Sequence, residues 1–514
     1  MILESSDVQR DLHEQVDVVV IGSGCGGATI SEELAAAGHS VLLLERGGYY
    51  TAARGDFDQR SDDMLARITG GRGLETTANG QLALMYGNCV GGASVHYWAD
   101  SWRLPDDRAA RYAELGVEGH ETADLAAHFE RIERDLNVHP APPQLYNRMN
   151  HLFDEGARRL GWHVEPVRQA RRGCVRSGHC YQGCAFDAKQ SQLVTHIPRA
   201  LEAGARLFAD CQVEAILTDE RGRASGLRAV FLDRTTNRPS GHRLEVRSRV
   251  VVLAAGGFAS AAIWLRSGLP NGSGQVGRNL ACNPCPFLHA IFPDPVEQWT
   301  NIPAATGTMD FRLARFEDGR YREGGYLLHP NQLQPEFLAA TLPGFGLEHR
   351  KLMDLLPRMG GAVAWIDDEL PGSIEIDGEG RVLHRFRIRG VDELKTRDAL
   401  KKQALLLLAA GATEVIVPDL RGTRIRDEDD IAALDRIDLT DGGMIFGAPH
   451  PAGALRMGSD TRTSVVDSKH EAHEVPGLFV ADPIAFPLPP SVDPSLTIMA
   501  WSIVAAGAVS GRLG

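Results

Sequence analysis

Val16–Ile21, Ser40–Glu45, Arg249–Ala254 and Leu478–Ala481 are short, almost wholly apolar runs closed by glycine or an acid. Runs of this length without polar alternation predict strands covered on both faces, as in a parallel sheet between helices. Ala28–Ala37, between the first two, has a helical pattern closed by Gly38, and Pro494–Gly507 predicts a closing helix. Ser373–Ile388 behaves differently. Its apolar residues alternate around Asp377-Gly378-Glu379-Gly380, which predicts an antiparallel hairpin. Ala399–Ala410 reads as a helix and Glu414–Val417 as a strand.

The turn after the first strand adds chemistry. Gly22-Ser23-Gly24-Cys25-Gly26-Gly27 joins strand to helix, and the next strand ends in Glu45. In such a turn Gly22 permits the tight bend, Gly24 lets backbone approach a pyrophosphate, and Gly27 lets helix and strand pack closely. The helix N-terminus favours the phosphates, and Glu45 is placed to accept hydrogen bonds from an unphosphorylated ribose diol. The remaining apolar strands lie far along the chain, so the nucleotide-binding domain is expected to be discontinuous. The fold class is α/β: a Rossmann-type domain plus an α+β domain with an antiparallel sheet. The division runs 1–300 (with a cysteine-rich loop at about 171–191), 301–440, and 441–514 returning to the first domain.

Composition narrows the partners. At 43% hydrophobic and 24% charged residues the 514-residue chain is ordinary globular protein, which excludes wholesale disorder. A net charge of −13 argues against nucleic acid or an anionic membrane surface. No apolar run is expected to approach the roughly 18 residues of a membrane span. Met1–Gln15 carries Glu4, Asp7, Asp11 and Glu14 and no apolar signal core, so a cytoplasmic location is expected.

Further motifs follow in order: Gly91-Gly92-Ala93-Ser94 leading to His96, Val276-Gly277-Arg278-Asn279-Leu280, His450-Pro451-Ala452-Gly453-Ala454-Leu455-Arg456-Met457-Gly458, and Asp493-Pro494-Ser495-Leu496-Thr497-Ile498. With the glycine turn, this series resembles the glucose–methanol–choline (GMC) family of FAD-dependent oxidoreductases over nearly the whole chain. The resemblance implies an FAD domain under a β-sheet substrate domain, and oxidation of an alcohol to an aldehyde or ketone. It implies a cofactor site of Gly22, Gly24, Gly27, Glu45, Arg46, Gly91, Gly92, Ser94, His96, Val213, Ala255 and Asp482. In some members a histidine at the place of His96 is bonded covalently to the flavin; contact without a bond is the other reading.

Alcohol oxidation requires a base at the hydroxyl while the carbon faces flavin N5. The resemblance gives His450 this work. Its partner position, usually histidine or asparagine in the family, is Asp493 here. An asparagine amide donates to a substrate oxygen, whereas an ionised aspartate only accepts. Asp493 is therefore either protonated by burial, a charged partner of His450, or simply a helix cap ahead of Pro494.

Cys174, Cys180 and Cys184 lie in one glycine-containing loop. Three thiolates so placed suit a three-iron (3Fe-4S) cluster, or zinc if His179 joins them. The spacing resembles cluster-bearing bacterial sugar dehydrogenases of the same family, and also the cysteine-rich loop of long-chain alcohol oxidases, for which no cluster is implied. A structural loop is the third reading. Cys282-Asn283-Pro284-Cys285 reads as structural. A cluster would imply an electron-accepting protein or quinone; without one, oxygen or a soluble acceptor would reoxidise the flavin. The competing functions are an FAD-containing lyase without net redox, an Fe-S-linked sugar dehydrogenase, and an NAD-dependent dehydrogenase.

Overall fold

The computed structural model describes all 514 residues. The apolar runs assemble into one sheet. Ile2–Leu3, Arg206–Phe208, Val41–Leu44 and Leu12–Ile21 lie side by side and parallel, and Leu12–Ile21 pairs on its other edge with Arg238–Leu253. Val19, Ile21, Leu42 and Leu44 enter one apolar core, and Val18, Val20, Val41 and Leu43 enter another. Both faces are covered, which is why these strands carry no polar alternation.

Arg238–Leu253 holds the discontinuous domain together. Its 16 residues extend well upstream of the run that predicted it. The upstream part pairs antiparallel with Ala224–Asp233, which in turn pairs with Cys211–Thr218. The last residues pair parallel with Leu478–Val480, returning the C-terminal third to the sheet. The upstream part is largely exposed and polar, so it lacks the signature of a strand buried on two faces.

The second sheet is antiparallel throughout, in the order Tyr326–Pro330, Met359–Ile366, Phe287–Ile291, Glu414–Ile416 and Arg424–Ile425. Helix Gly390–Ala409 packs across it. Phe287–Ile291 sits at its centre, so this sheet begins upstream of residue 301, where the sequence division puts the boundary. Only its pairing partners reveal that membership. The hairpin forms between Ser373–Ile376 and Val382–Arg385, with Asp377 Oδ1 accepting from the Glu379 and Arg381 amides across the turn.

The closing helix requires a correction. Ser495–Leu513 is 19 residues long with a mean hydropathy of 1.4 in its most apolar window, enough by length and composition to cross a membrane. In this fold 67% of that window is buried, against helices Cys25–Ala36 and Thr122–Asp135. Interleaved Thr497, Ser502 and Gly507 hide the apolar run from simple inspection.

Candidate active site

The glycine turn is shaped by backbone contacts. Gly22 has φ +101°, and a Cβ there would meet the Ala254 carbonyl at 2.2 Å. A Cβ on Gly27 would lie 1.8 Å from the Gly22 carbonyl, and one on Gly26 1.7 Å from that of Ala481. A Cβ on Gly24 would meet nothing within 4 Å. The turn is thus tight on its protein side and open at the helix N-terminus, which fits a pyrophosphate lying there.

Glu45 is buried, and burial raises its carboxyl above the ordinary range. Its Oε2 accepts from the Ser23 amide (3.1 Å) and hydroxyl (2.6 Å), and Oε1 from the Gly47 amide (2.8 Å). Oε1 retains a lone pair for a ribose hydroxyl. Arg46, next in the chain, is exposed. Cys211 donates its amide to the Glu45 carbonyl at 2.8 Å, which brings the strand bearing half-buried Val213 to this end of the sheet.

The second glycine motif docks on the first. Gly91 (φ +99°) donates its amide to Ser23 Oγ at 3.0 Å, and a Cβ on Gly92 would lie 2.8 Å from Gly24 Cα. Ser94 Oγ donates to the Gly91 carbonyl (2.6 Å) and accepts from the Gln192 amide (2.9 Å). His96 is buried with neither ring nitrogen partnered, and burial lowers it to about 3, so the ring is neutral. Asp482 Oδ2 accepts from the Gly256 amide (3.1 Å), beside Ala255, and from the Ser260 hydroxyl. Burial raises Asp482 to about 6. Unpartnered polar atoms on His96, Asp493 and Thr497 belong to two segments, Gly91–His96 and Asp493–Ile498, and each would be costly to bury without a ligand.

His450 is held by a residue that sequence reasoning took as mere loop. Isolated bridges Ala281–Ala452 and Cys285–Gly447 align the 281–285 segment with the approach to His450. Asn283 sits between them at φ +48°, its backbone amide donating to buried Asp368 at 2.9 Å. The Asn283 Nδ2 donates to the Ile366 carbonyl at 2.6 Å, so its Oδ1 is the atom that faces His450 Nδ1, 2.7 Å away. Nδ1 must therefore carry the proton. Nε2 then presents its lone pair towards Asp493 Oδ1 at 3.4 Å. The two side chains keep 15% and 13% of their surface exposed, enough to be reached from the cleft.

Asp493 does not cap the helix. Pro494 occupies the cap position without a side-chain bond, and Asp493 Oδ2 has no partner. The Arg108–Asp367–Ser491 contacts hold the preceding loop so that the carboxyl turns to His450 instead. Burial raises Asp493 to about 7 and lowers His450 to about 3, with the His329 charge a smaller influence on the latter. Asp100, buried and accepting from Gln169 Nε2 at 2.6 Å, is pushed well above the carboxylate range by burial and then by the Asp493 charge. An apolar cluster adjoins the pair: Phe287, Leu327, Val363, Trp365 and Val492, with Met85, Trp98, Trp102 and Met309 packed against them. The Trp365 ring centroid lies 5.5 Å from that of His450.

Residues 19–285 and 373–502 match the GMC oxidoreductase family. The chain belongs to the GMC oxidoreductase family. An uncharacterized GMC-type oxidoreductase of Mycobacterium tuberculosis is 30% identical over 96% of this chain and 75% of its own length. The long-chain-alcohol oxidase FAO3 of Arabidopsis thaliana is 25% identical over 96% of this chain and 68% of its own. The crystal structure of pyridoxine 4-oxidase from Mesorbium loti superposes with a TM-score of 0.70 at 17% identity, covering 96% of this chain and 98% of that one.

As a GMC enzyme the protein is an oxidoreductase acting on alcohol groups, with FAD as its family cofactor. The residues present fit that cofactor at the glycine turn, at Glu45 and at His96. One expectation needs correction. Cys174, Cys180 and Cys184 line a common cavity, but no set of three or more metal-ligating side chains converges anywhere in the chain. The donor set as folded does not fit an iron–sulfur cluster. All eight cysteines are free thiols. Asn283, Asp100 and His329 escaped the sequence reading because they lie in no glycine or proline motif of the family; the left-handed turn in Cys282-Asn283-Pro284-Cys285 was the one local hint.

Proposed function

We propose that this GMC enzyme oxidises an alcohol carrying a long or bulky apolar group, with His450 taking the hydroxyl proton on Nε2. The observation that carries the reading is the Asn283–His450–Asp493 line, which leaves a neutral imidazole with its unprotonated Nε2 towards Asp493, beside an apolar cluster. FAD, when bound, supplies the acceptor for the hydride. Trp98, Trp102 and Trp365 exclude water and offer flat apolar surface to an alkyl or ring substituent. The likeness to a long-chain-alcohol oxidase supports the same substrate class. The decisive test is anaerobic mixing with a series of n-alkanols and sterols: bleaching of the flavin bands is expected, with kcat/KM rising with chain length. A substrate consumed without bleaching would favour the lyase reading instead.

His450, neutral and buried, is by itself a weak base. An ionised Asp493 3.4 Å away strengthens it and stabilises the imidazolium formed on proton transfer. Below pH about 7 the proton on Asp493 is shared into the Nε2 lone pair and blocks it. The kcat/KM is therefore expected to rise with pH through about 7. Asp493→Asn should abolish that limb and lower kcat/KM at pH 8 by about 10–100-fold. An unchanged profile in the variant would remove Asp493 from the chemistry. The same shift acts on stability. A carboxyl that binds its proton more tightly when folded lowers stability as pH climbs from its unfolded value through about 7.

Trp98→Ala opens the cleft wall without touching His450. It should raise KM for long-chain alcohols by about tenfold while changing kcat less. An equal effect on short and long alcohols would argue against an apolar substrate site. For His96, acid precipitation separates the two readings: flavin in the pellet marks a covalent bond, and flavin in the supernatant marks contact alone. With no converging metal ligands at the cysteine loop, oxygen or a soluble acceptor is the reoxidant we carry forward, ahead of a cluster-linked sugar dehydrogenase with its protein or quinone partner.

A further inference from the structure

The cysteine loop holds buried charge that neither the cofactor site nor the catalytic pair uses. Arg171 and Lys189 are each 3% exposed. Lys189 has no carboxylate partner: its Nζ donates to the carbonyls of Cys180 (2.5 Å), Val95 (2.5 Å) and Tyr97 (3.0 Å). Arg171 donates Nη2 to the Trp98 carbonyl (2.8 Å), Nε to Gln169 Oε1 (3.0 Å) and Nη1 to Cys180 Sγ (3.2 Å). Two buried cations held only by neutral groups are costly unless a negative charge lies close. The neighbours able to supply it are the Asp100 carboxyl, beyond Gln169 on the Arg171 side, and sulfurs. Cys174, Cys180 and Cys184 line the same small pocket as Arg171 and Lys189. Cys174 and Cys184 are partly exposed at its mouth, while Cys180 is buried against the guanidinium.

We propose that Cys180, flanked by Cys174 and Cys184 and charge-balanced by Arg171 and Lys189, is a peroxide-reactive thiol site. The Cys180 thiolate attacks one oxygen of hydrogen peroxide. An S–O bond forms, the O–O bond breaks, and the second oxygen leaves as hydroxide, protonated to water. A neighbouring thiol, from Cys174 or Cys184, then attacks that sulfur; the S–S bond forms and the hydroxyl departs as water. The two thiols lose two electrons and the peroxide gains two. The location gives the chemistry a purpose. Lys189 ties the Cys180 carbonyl to the carbonyls on either side of His96, so the thiol site abuts the cofactor-binding segment. A flavin reoxidised by oxygen would release peroxide nearby, but the site itself does not depend on that acceptor, because the test supplies the peroxide.

The holoenzyme, purified anaerobically and free of alcohol, is treated with stoichiometric hydrogen peroxide and mapped by non-reducing peptide mass spectrometry. The expected result is loss of two of the eight thiols, in a disulfide joining Cys180 to Cys174 or Cys184, restored by dithiothreitol. Lys189→Met and Arg171→Gln should each slow thiol loss by about tenfold, since either removes positive charge beside the sulfur. Because Arg171→Gln risks the fold, iodoacetamide labelling of the wild-type holoenzyme gives a second readout: Cys180 should be carboxymethylated ahead of the other fully buried cysteines, Cys89, Cys211, Cys282 and Cys285. Cys180 left reduced while other cysteines oxidise would overturn the proposal. So would three irons and acid-labile sulfide per chain in the purified protein, which would make the cavity a metal site.

Discussion

His450→Ala is expected to slow anaerobic flavin reduction by about 10²–10⁴-fold, with flavin content and absorbance unchanged. On the proposed mechanism the imidazole acts on the substrate hydroxyl and is not itself a cofactor ligand, so its loss should appear in kcat and little in cofactor retention. Asn283→Leu makes a sharper version of the same test. The leucine removes the acceptor that keeps the proton on Nδ1, and the ring becomes free to put its proton on Nε2, where it cannot act as base. A loss of about 10–100-fold is expected, with full flavin binding. Wild-type rates in Asn283→Leu would show that the tautomer is not set by this bond. Wild-type rates in His450→Ala would sink the proposed mechanism outright. Stopped-flow reduction by a long-chain alcohol reads both.

The sequence was most legible where local pattern and global role coincide. Val18–Ile21 and Val41–Leu44 had to be strands because each residue is buried on one face or the other, and the alternate cores they fill confirm it. The glycine turn was legible for a different reason: Gly22, Gly26 and Gly27 are each pressed against a carbonyl, a constraint that no other residue type meets. What was missed depends on partners distant in the chain. Phe287–Ile291 joins the second sheet only because Met359–Ile366 and Glu414–Ile416 flank it. Asn283 gained its role from being 2.7 Å from a residue 167 positions away. For Asp493 the sequence left a helix cap and a partner of His450 both open; the Ser491–Asp367 and Arg108–Asp367 contacts, distant in the chain, turn its carboxyl towards His450. The three cysteines suggested a metal by spacing alone, whereas Arg171 and Lys189, far less conspicuous in sequence, define the chemistry of their cavity.

Gly24→Ala and Gly27→Ala should both yield colourless protein, but by different routes. A Cβ on Gly27 would sit 1.8 Å from the Gly22 carbonyl, with the Ala254 side chain behind it. Neither the strand end nor the helix can yield, since Gly26 is locked against the Ala481 carbonyl at the next position. Overpacking of this kind costs about 1–3 kcal/mol and more where the neighbour is backbone. Gly27→Ala is thus expected to lower the melting temperature of the apoprotein as well as lose the flavin. At Gly24 the same methyl meets no protein atom within 4 Å, and φ is an ordinary −70°. The apoprotein should melt as the wild type does. The methyl intrudes only on the space before the helix N-terminus, where the pyrophosphate belongs, so FAD affinity should fall by about 10–100-fold. Differential scanning calorimetry of the deflavinated variants and fluorescence titration with FAD separate the two effects. A Gly24→Ala variant that binds FAD as tightly as wild type would show that the phosphates lie elsewhere, and the open face of the turn would need another occupant.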